Sequence, residues 1–395
     1  MKGNRKDLND KWEKRALYEI ASILMGQSPP SNTYNTEGNG LPFYQGNKDF
    51  GFKYPNKKVW CSNPVRIAEK GSVLISVRAP VGDVNMTLEK CCIGRGVASI
   101  NSDNNEFIYY LMKFNKEKFK NIFENEGTVF GCLTKEGLRN FNVIIPKDKK
   151  VKNKIAKILS SLDDKIELNN KMNRTLEKIA QAMFKHWFID FEFPNENSKP
   201  YKSSGGKMVD SELGKIPEGW KVVNAKSILN IVYGEGLSKK FLKNTGYPVY
   251  GGNGIIGYFD RYMYKDRQVI ISCRGAASGK ILTTKPYSFV TSNSLVFEIR
   301  DKKNITFDFL KCYCEYIDFS KYVTGTAQPQ ITIENLNEFK MILPAKEILD
   351  LFTVQIGFIN EKHLNNEYQN QTLSQLRDSL LPRLMTGKIS IGGAK

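Results

Sequence analysis

Gly127-Thr128-Val129-Phe130-Gly131-Cys132-Leu133-Thr134 opens a stretch that runs to Pro146. At an offset of 198 residues, Gly325-Thr326-Ala327-Gln328-Pro329-Gln330-Ile331-Thr332 opens another that runs without a gap to Pro344. Among the identical positions are Gly127/Gly325, Thr128/Thr326, Thr134/Thr332, Leu138/Leu336, Phe141/Phe339, Ile144/Ile342 and Pro146/Pro344. Upstream, Val73-Leu74-Ile75-Ser76-Val77-Arg78 answers Val269-Ile270-Ile271-Ser272-Cys273-Arg274. Tyr44-Gln45-Gly46-Asn47 answers Tyr250-Gly251-Gly252-Asn253, and Trp12 answers Trp220. Order and spacing survive with small insertions, so the chain is a duplication. Only the residues just after each Trp, Tyr18–Ile20 and Ser227–Ile228, match loosely, which leaves the first strand of each half undefined.

Within each half, short β-like runs such as Val73–Val77 and Val269–Cys273 lie among Gly, Pro and Asn punctuation, the texture of an α+β or β-rich domain. After Pro146 and Pro344 that texture ends. An apolar beat of seven residues takes over, through Ile155, Leu162, Asn169, Leu176 and Met183 in the first tail, and through Phe352, Ile359, Asn366, Leu373 and Leu380 in the second. Heptad spacing sustained this long predicts two long helices that pair as a coiled coil. Ile158, Met172 and Ile179 read as the other seam position of the first helix, and Leu376 as that of the second. Asn169 and Asn366 share a heptad position midway along each stripe. In an antiparallel pair they sit near one level, either as a buried register device or as a partly exposed polar break. The plan is therefore a globular domain over 1–146, a helix over 147–190, an exposed polar linker over 191–215, a globular domain over 216–344 and a helix over 345–390.

With 395 residues, 41% of them hydrophobic and 25% charged, the chain has ordinary globular composition and length for two or three domains. Its 59 Lys and Arg exceed 41 Asp and Glu by 18, a balance that favours a polyanionic partner, nucleic acid before membrane. The start, 1–15, is charged throughout and lacks a signal-peptide core, and no apolar run is long enough to span a membrane. Seven Cys in no metal or disulfide spacing, with two His, argue against a metal site and for reduced thiols in the cytoplasm.

Catalytic motifs come close and fail. Ser28-Pro29-Pro30-Ser31 has Ser31 where an amino-methyltransferase needs an aromatic, so it reads as a turn. Gly252-Asn253-Gly254-Ile255-Ile256-Gly257 has dinucleotide-binding spacing but runs into strand-like aromatics, and Gly275-Ala276-Ala277-Ser278-Gly279-Lys280 is one residue short of a phosphate loop. His186 and His363 fall in the helical tails. What remains is a recognition surface. Lys48, Arg78, Arg95, Arg274 and Lys280, with the amides Gln45, Asn47, Asn253, Gln328 and Gln330, lie in or beside glycine-rich loops, where they either cap turns or face DNA bases and phosphates. The run Phe50-Gly51-Phe52-Lys53-Tyr54 either stacks on nucleic acid or packs a sheet. Six Lys between Lys147 and Lys157 either face phosphate or are a solvated surface.

Over almost its whole length the chain resembles the DNA-specificity subunit of type I restriction-modification systems. The marks are the duplication, the Gly-Thr…Thr…Leu…Phe…Pro segment closing each half, the helix ending Phe184-Lys185-His186-Trp187-Phe188-Ile189-Asp190-Phe191, and Ser211-Glu212-Leu213-Gly214-Lys215-Ile216-Pro217-Glu218-Gly219-Trp220. The resemblance implies an α+β fold in which two target recognition domains each read half of a split, asymmetric double-stranded DNA sequence, while their long helices pair antiparallel as a spacer. It further implies two modification subunits that use S-adenosylmethionine to methylate adenine N6, restriction subunits that use ATP and Mg, and no cofactor, metal or catalysis in this chain. A stand-alone two-module DNA-binding or architectural protein is the alternative that charge and duplication alone allow.

Overall fold

The computed structural model describes residues 11–124, 133–389 and 391, so the repeat segment 127–132 and the first ten residues lie outside the described residues. Strand topology repeats as the sequence does. In the first half, strand Trp12–Ala16 pairs antiparallel with Asn142–Pro146, and a four-stranded sheet runs in the order Ser22–Met25, Val97–Asn101, Val73–Ser76, Val84–Met86. In the second, Lys221–Asn224 pairs with Lys340–Leu343, and the sheet order is Leu229–Tyr233, Ser294–Ile299, Val269–Ser272, Ile281–Thr283. A further sheet in each half contains one parallel pair, Leu41–Tyr44 with Cys91–Ile93 and Tyr247–Gly251 with Phe289–Val290. The central strands Val73–Ser76 and Val269–Ser272 are buried on both faces, which suits their continuous β-branched runs.

The duplicated segment earns its residues by closing each half. Thr134 Oγ1 accepts from Gly137 N at 3.0 Å and Thr332 Oγ1 from Asn335 N at 3.3 Å, capping the turn that follows. Leu138, Phe141, Leu336 and Phe339 are core residues. The carbonyls of Phe141 and Phe339 accept from Leu17 N at 3.0 Å and Ala225 N at 2.8 Å, tying the last strand of each half to its first turn. Those first turns, Leu17–Ile20 and Ala225–Ile228, are helical, and each follows the opening strand of its half, Trp12–Ala16 or Lys221–Asn224.

Long helices span Lys149–Phe184 and Lys346–Met385. The first continues through a π-helical turn, Lys185–Ile189. The chain divides into two compact units, Met1–Lys171 with Asn366–Lys395, and Met172–Asn365. Each holds one globular half, the start of the helix leaving it and the end of the other helix. In the first unit Ile155, Ala156 and Leu159 meet Leu380, Leu384 and Met385 over a core that includes Phe107 and Leu138. In the second, Phe184 and Phe188 meet Leu349, Phe352 and Ile356, with Phe188 edge-on to Phe352 at 4.8 Å and to Phe309 at 5.0 Å between ring centroids. Within each unit the helical segments run antiparallel. Asp163 reaches Arg377 and Asn169 reaches Gln369 and Asn370 in the first, while Asn173 reaches His363 and Phe184 faces Phe352 in the second.

The seam differs from the heptad reading in its second row. Ile155 and Phe352 are buried, while Leu162, Leu176, Met183, Ile359, Leu373 and Leu380 are half-buried. The companion positions lie four residues on, not three. Leu159, Ile166, Asn173 and Ala180 face inward in the first helix, and Ile356, Arg377 and Leu384 in the second. Ile158, Ile179 and Leu376 are exposed, and Met172 is half-buried. The two spacings fit a seven-residue repeat equally well, and several true seam residues are polar, so hydrophobicity chose the wrong row. Asn169 is fully buried, its amide donating to Gln369 Oε1 at 2.8 Å and Asn370 Oδ1 at 2.9 Å. Asn366, also buried, lies one turn before Asn370.

Two further expectations change. The stretch 191–215 is no exposed linker. Phe191 and Phe193 are buried, Phe193 stacks between Tyr201 and Trp220 at 4.6 and 5.0 Å, and Met208–Ser211 forms a hairpin with Gly214–Pro217. The run Phe50–Tyr54 neither lines a free surface nor sits in a strand, but clamps the first globular half to the helices. Lys53, 1% exposed, donates to Asp164 at 2.6 Å, and Phe52 lies under the cations of Lys113 and Arg377. Beside this clamp Asp163 is fully buried between Arg377 at 2.7 Å and the Tyr110 hydroxyl at 2.9 Å. Burial pulls the nearby Lys113 ammonium below its usual range, against the attraction of Asp163. Breaking a buried pair by removing one partner leaves a stranded charge and costs about 3–5 kcal/mol, more than removing both. Asp163→Leu is expected to destabilise the first unit by about that amount in denaturant unfolding. Adding Arg377→Leu should return most of the loss, and a double variant no more stable than the single would contradict this account.

Candidate nucleic-acid interface

In the first globular half, five residues singled out from the sequence come together. Gln45, Asn47, Lys48, Arg78 and Arg95, with Ser28, line one open cleft of about 280 Å³ at the strand ends. Close backbone approach assembles it. A Cβ on Gly96 would meet the Gln45 carbonyl oxygen at 2.2 Å, and one on Gly26 would meet that of Gly94 at 2.2 Å, so only glycine lets these loops converge. The buried Asp49 carboxylate accepts from Gln45 N at 2.6 Å and Gly46 N at 3.4 Å, and Ser28 Oγ accepts from Arg95 N at 3.2 Å. Ser76 Oγ donates to Pro80 O and accepts from Asp83 N, bracing the loop that carries Arg78. Hydrogen bonds brace the frame, while Lys48, Arg78 and Arg95 are exposed at its rim.

The second half gathers its candidates around the end of strand Val269–Ser272. Lys280 Nζ donates to Asn253 Oδ1 at 2.6 Å. Arg274 forms an isolated bridge with Gln330, and Gly275 N donates to Pro329 O at 2.9 Å, so Gln328 and Gln330 stand beside the arginine's loop. All five are exposed.

Backbone hydrogen bonds align the two sites residue by residue. Gly94 N and Thr291 N donate to Tyr44 O and Tyr250 O. Val77 N and Cys273 N donate to Gly96 O and Asn293 O, while Leu133 N and Ile331 N donate back to Val77 O and Cys273 O. Gly26 N and Gly234 N donate to Val97 O and Ser294 O. Arg78 and Arg274 therefore occupy one station, Asn47 and Asn253 another, and Arg95 is answered by Ser292. Ser28 and Asp83 were not legible as site residues. In sequence Ser28 reads as a plain turn, and Asp83 stands out only through the register that makes it the equivalent of Lys280 in the other half.

The near-miss motifs resolve as local structure. Ser31–Thr33 is a turn, Gly254–Phe259 is a hairpin strand against Tyr247–Gly251, and Gly275–Ala277 is a single turn. His186 is exposed, and His363 Nε2 lies 3.1 Å from Glu177. Burial pushes the thiols of Cys91 and Cys312 up to about 12, unsuited to nucleophilic work. Among the described residues, no helix is long and apolar enough to cross a membrane.

Residues 9–178 and 217–376 each match the family model described as the type I restriction modification DNA specificity domain. The chain belongs to that family. The specificity subunit MjaIX of a type I restriction enzyme from Methanocaldococcus jannaschii is 25% identical over 415 residues, covering 96% of this chain and 94% of that one. A second chain from that organism, provisionally named as the MjaX type I restriction enzyme specificity subunit, is 42% identical over 183 residues, covering 45% of this chain and 42% of its own length. The crystal structure of the S subunit of the type I restriction-modification system from M. genitalium shares the fold, with a TM-score of 0.57 at 17% identity over 97% of this chain and 98% of that one.

Specificity subunits are non-catalytic and recognise DNA sequence, which accounts for loops built to present side chains and not to activate them. Gly96→Ala in this specificity subunit is expected to force loops 45–47 and 94–96 apart. Sequence-specific DNA binding by its complex should weaken about tenfold or more, the scale of one lost specific contact, with the circular-dichroism spectrum retained. Unchanged binding would show that the cleft is not used.

Proposed function

We propose that the chain reads a split, asymmetric double-stranded DNA sequence, one half-site per globular domain, and scaffolds two modification subunits and the restriction subunits. The observation that carries this reading is the pair of matching frames, aligned bond for bond yet presenting unlike side chains, Arg95 against Ser292 among them. Identical domains would read a symmetric site, whereas these two frames suit unlike half-sites. S-adenosylmethionine, ATP and Mg are assigned to the partner subunits and no cofactor to this chain, with the cytoplasm as the compartment.

In this reading the station shared by Arg78 and Arg274 serves what both half-sites have in common, the phosphate backbone. Arg78→Gln or Arg274→Gln should weaken binding of the complex to cognate and unrelated DNA alike, and lower the slope of log affinity against log salt by about one per contact. A loss confined to one base position would instead make that arginine a base reader.

Adenine methylation mapped in cells that co-express this chain with its modification subunit tests the function directly. A split motif that disappears when either protein is omitted is expected, and no motif despite a stable complex would refute the reading. Tight split-site binding by the isolated chain would favour the stand-alone alternative. The long helices are assigned the role of ruler. Inserting one heptad into each adds about 10 Å and should lengthen the spacer between half-sites by roughly three base pairs. An unchanged spacer would count against the ruler.

A further inference from the structure

The stations of Asn47 and Asn253 are equivalent, but what holds each amide in place is inverted. Ser76 N donates to Asp83 O at 2.8 Å and Gly82 N to Ser76 O at 3.0 Å. In the other half Ser272 N donates to Lys280 O at 2.9 Å and Gly279 N to Ser272 O at 2.9 Å. Asp83 and Lys280 therefore stand at one position of the same closed loop, one an anion and the other a cation. Each holds the asparagine of its own domain.

Chemistry then fixes which end of each amide is held. A carboxylate has no proton to give, so Asn47 turns its nitrogen to it, and Nδ2 donates to Asp83 Oδ2 at 3.2 Å. Lys116 sits 2.6 Å from the other carboxylate oxygen and keeps Asp83 in place. An ammonium has no lone pair, so Asn253 turns its oxygen to it, and Lys280 Nζ donates to Oδ1 at 2.6 Å. The oxygen of Asn47 and the nitrogen of Asn253 are left to face a ligand, and neither has a partner among the described residues. One is an acceptor only and the other a donor only.

Resting on the reading of each half as a DNA-recognition domain, we propose that Asp83 and Lys280 set opposite hydrogen-bonding preferences toward base edges on one common frame. Asn47 accepts from an exocyclic amine, adenine N6 or cytosine N4. Asn253 donates to a base acceptor, guanine O6 or N7, thymine O4 or adenine N7. Major-groove edges differ in these groups, so reversing the free end of an amide changes which base it matches. The selecting residue in each domain is thus the charged neighbour behind the asparagine, and Asp83 and Lys280 are positioning residues.

The test is adenine-methylation mapping in cells that co-express each variant with its modification subunit, paired with binding of the purified complex to duplexes varied one base at a time. Asn253→Asp keeps the bond to Lys280 but turns an oxygen outward. The expected result is a change at one position of one half-site, from a base offering an acceptor to one offering an amine, with the other half-site unchanged. Asn253→Leu should flatten the preference at that same position by about tenfold or more. Asn47→Leu should flatten one position of the other half-site, and Asn47→Asp, which gives up the amide's donated bond and sets a second carboxylate against Asp83, should lose the preference at that same position. A motif unmoved by both Asn253 variants overturns the proposal, as does weakening that is uniform over all duplexes, which would make Asn253 a phosphate contact. A wild-type complex that yields no split motif would overturn the two-domain reading itself. A wild-type split motif with unmoved variant motifs overturns only the amide assignment.

Discussion

Neither globular half covers its own core. The apolar floor of each is closed by two helical segments, the start of the helix that leaves it and the end of the helix that comes from the other half. Everything else depends on this exchange of ends. A helix with one apolar stripe must bury it, and here the stripe is divided between a partner helix and a domain face. The first unit uses Leu384 and Met385 from the far end of the chain, so its core is complete only when the last helix has returned. Duplication and antiparallel pairing are therefore one constraint, since only a second copy supplies the returning helix.

The two closures use different physics. The second unit is sealed by aromatic rings, Phe184, Phe188, Phe309 and Phe352, in tilted and edge-on contacts. The first carries buried charge at the same kind of junction, with Asp163 held by Arg377 and Tyr110 and the buried Lys53 held by the exposed Asp164. Apolar contact tolerates rotation better than a charge network whose every member needs its partner.

Above those junctions the reading loops follow a similar division of labour. Glycines at close approach, the Asp49 carboxylate and the paired carbonyls around Val77 and Cys273 make a frame in which the backbone does the positioning. Side chains at the rim are then free to differ between halves without disturbing the fold. A specificity subunit needs this separation, because its target can change only where substitution leaves the scaffold intact.

Residue order alone specifies the duplication, the two long helices and the loops that carry the basic and amide residues. Periodicity and repetition are properties of local chain order, and Thr134, Leu138 and Phe141 recur in the second copy because each makes a contact that every copy must make. Tertiary structure alone decided the second row of the helix seam, where Asn173 and Arg377 face inward and Ile158 and Leu376 face out. It also decided that Phe191 and Phe193 pack on Trp220 within a stretch that reads as a polar linker. Burial of a polar side chain is set by partners far away in sequence, Asp163 for Arg377 and Asp164 for Lys53, and composition carries no record of them. The free end of each reading asparagine was hidden for the same reason. Asn47 and Asn253 are one letter in the sequence, and only the charge that the fold sets behind each makes one an acceptor and the other a donor.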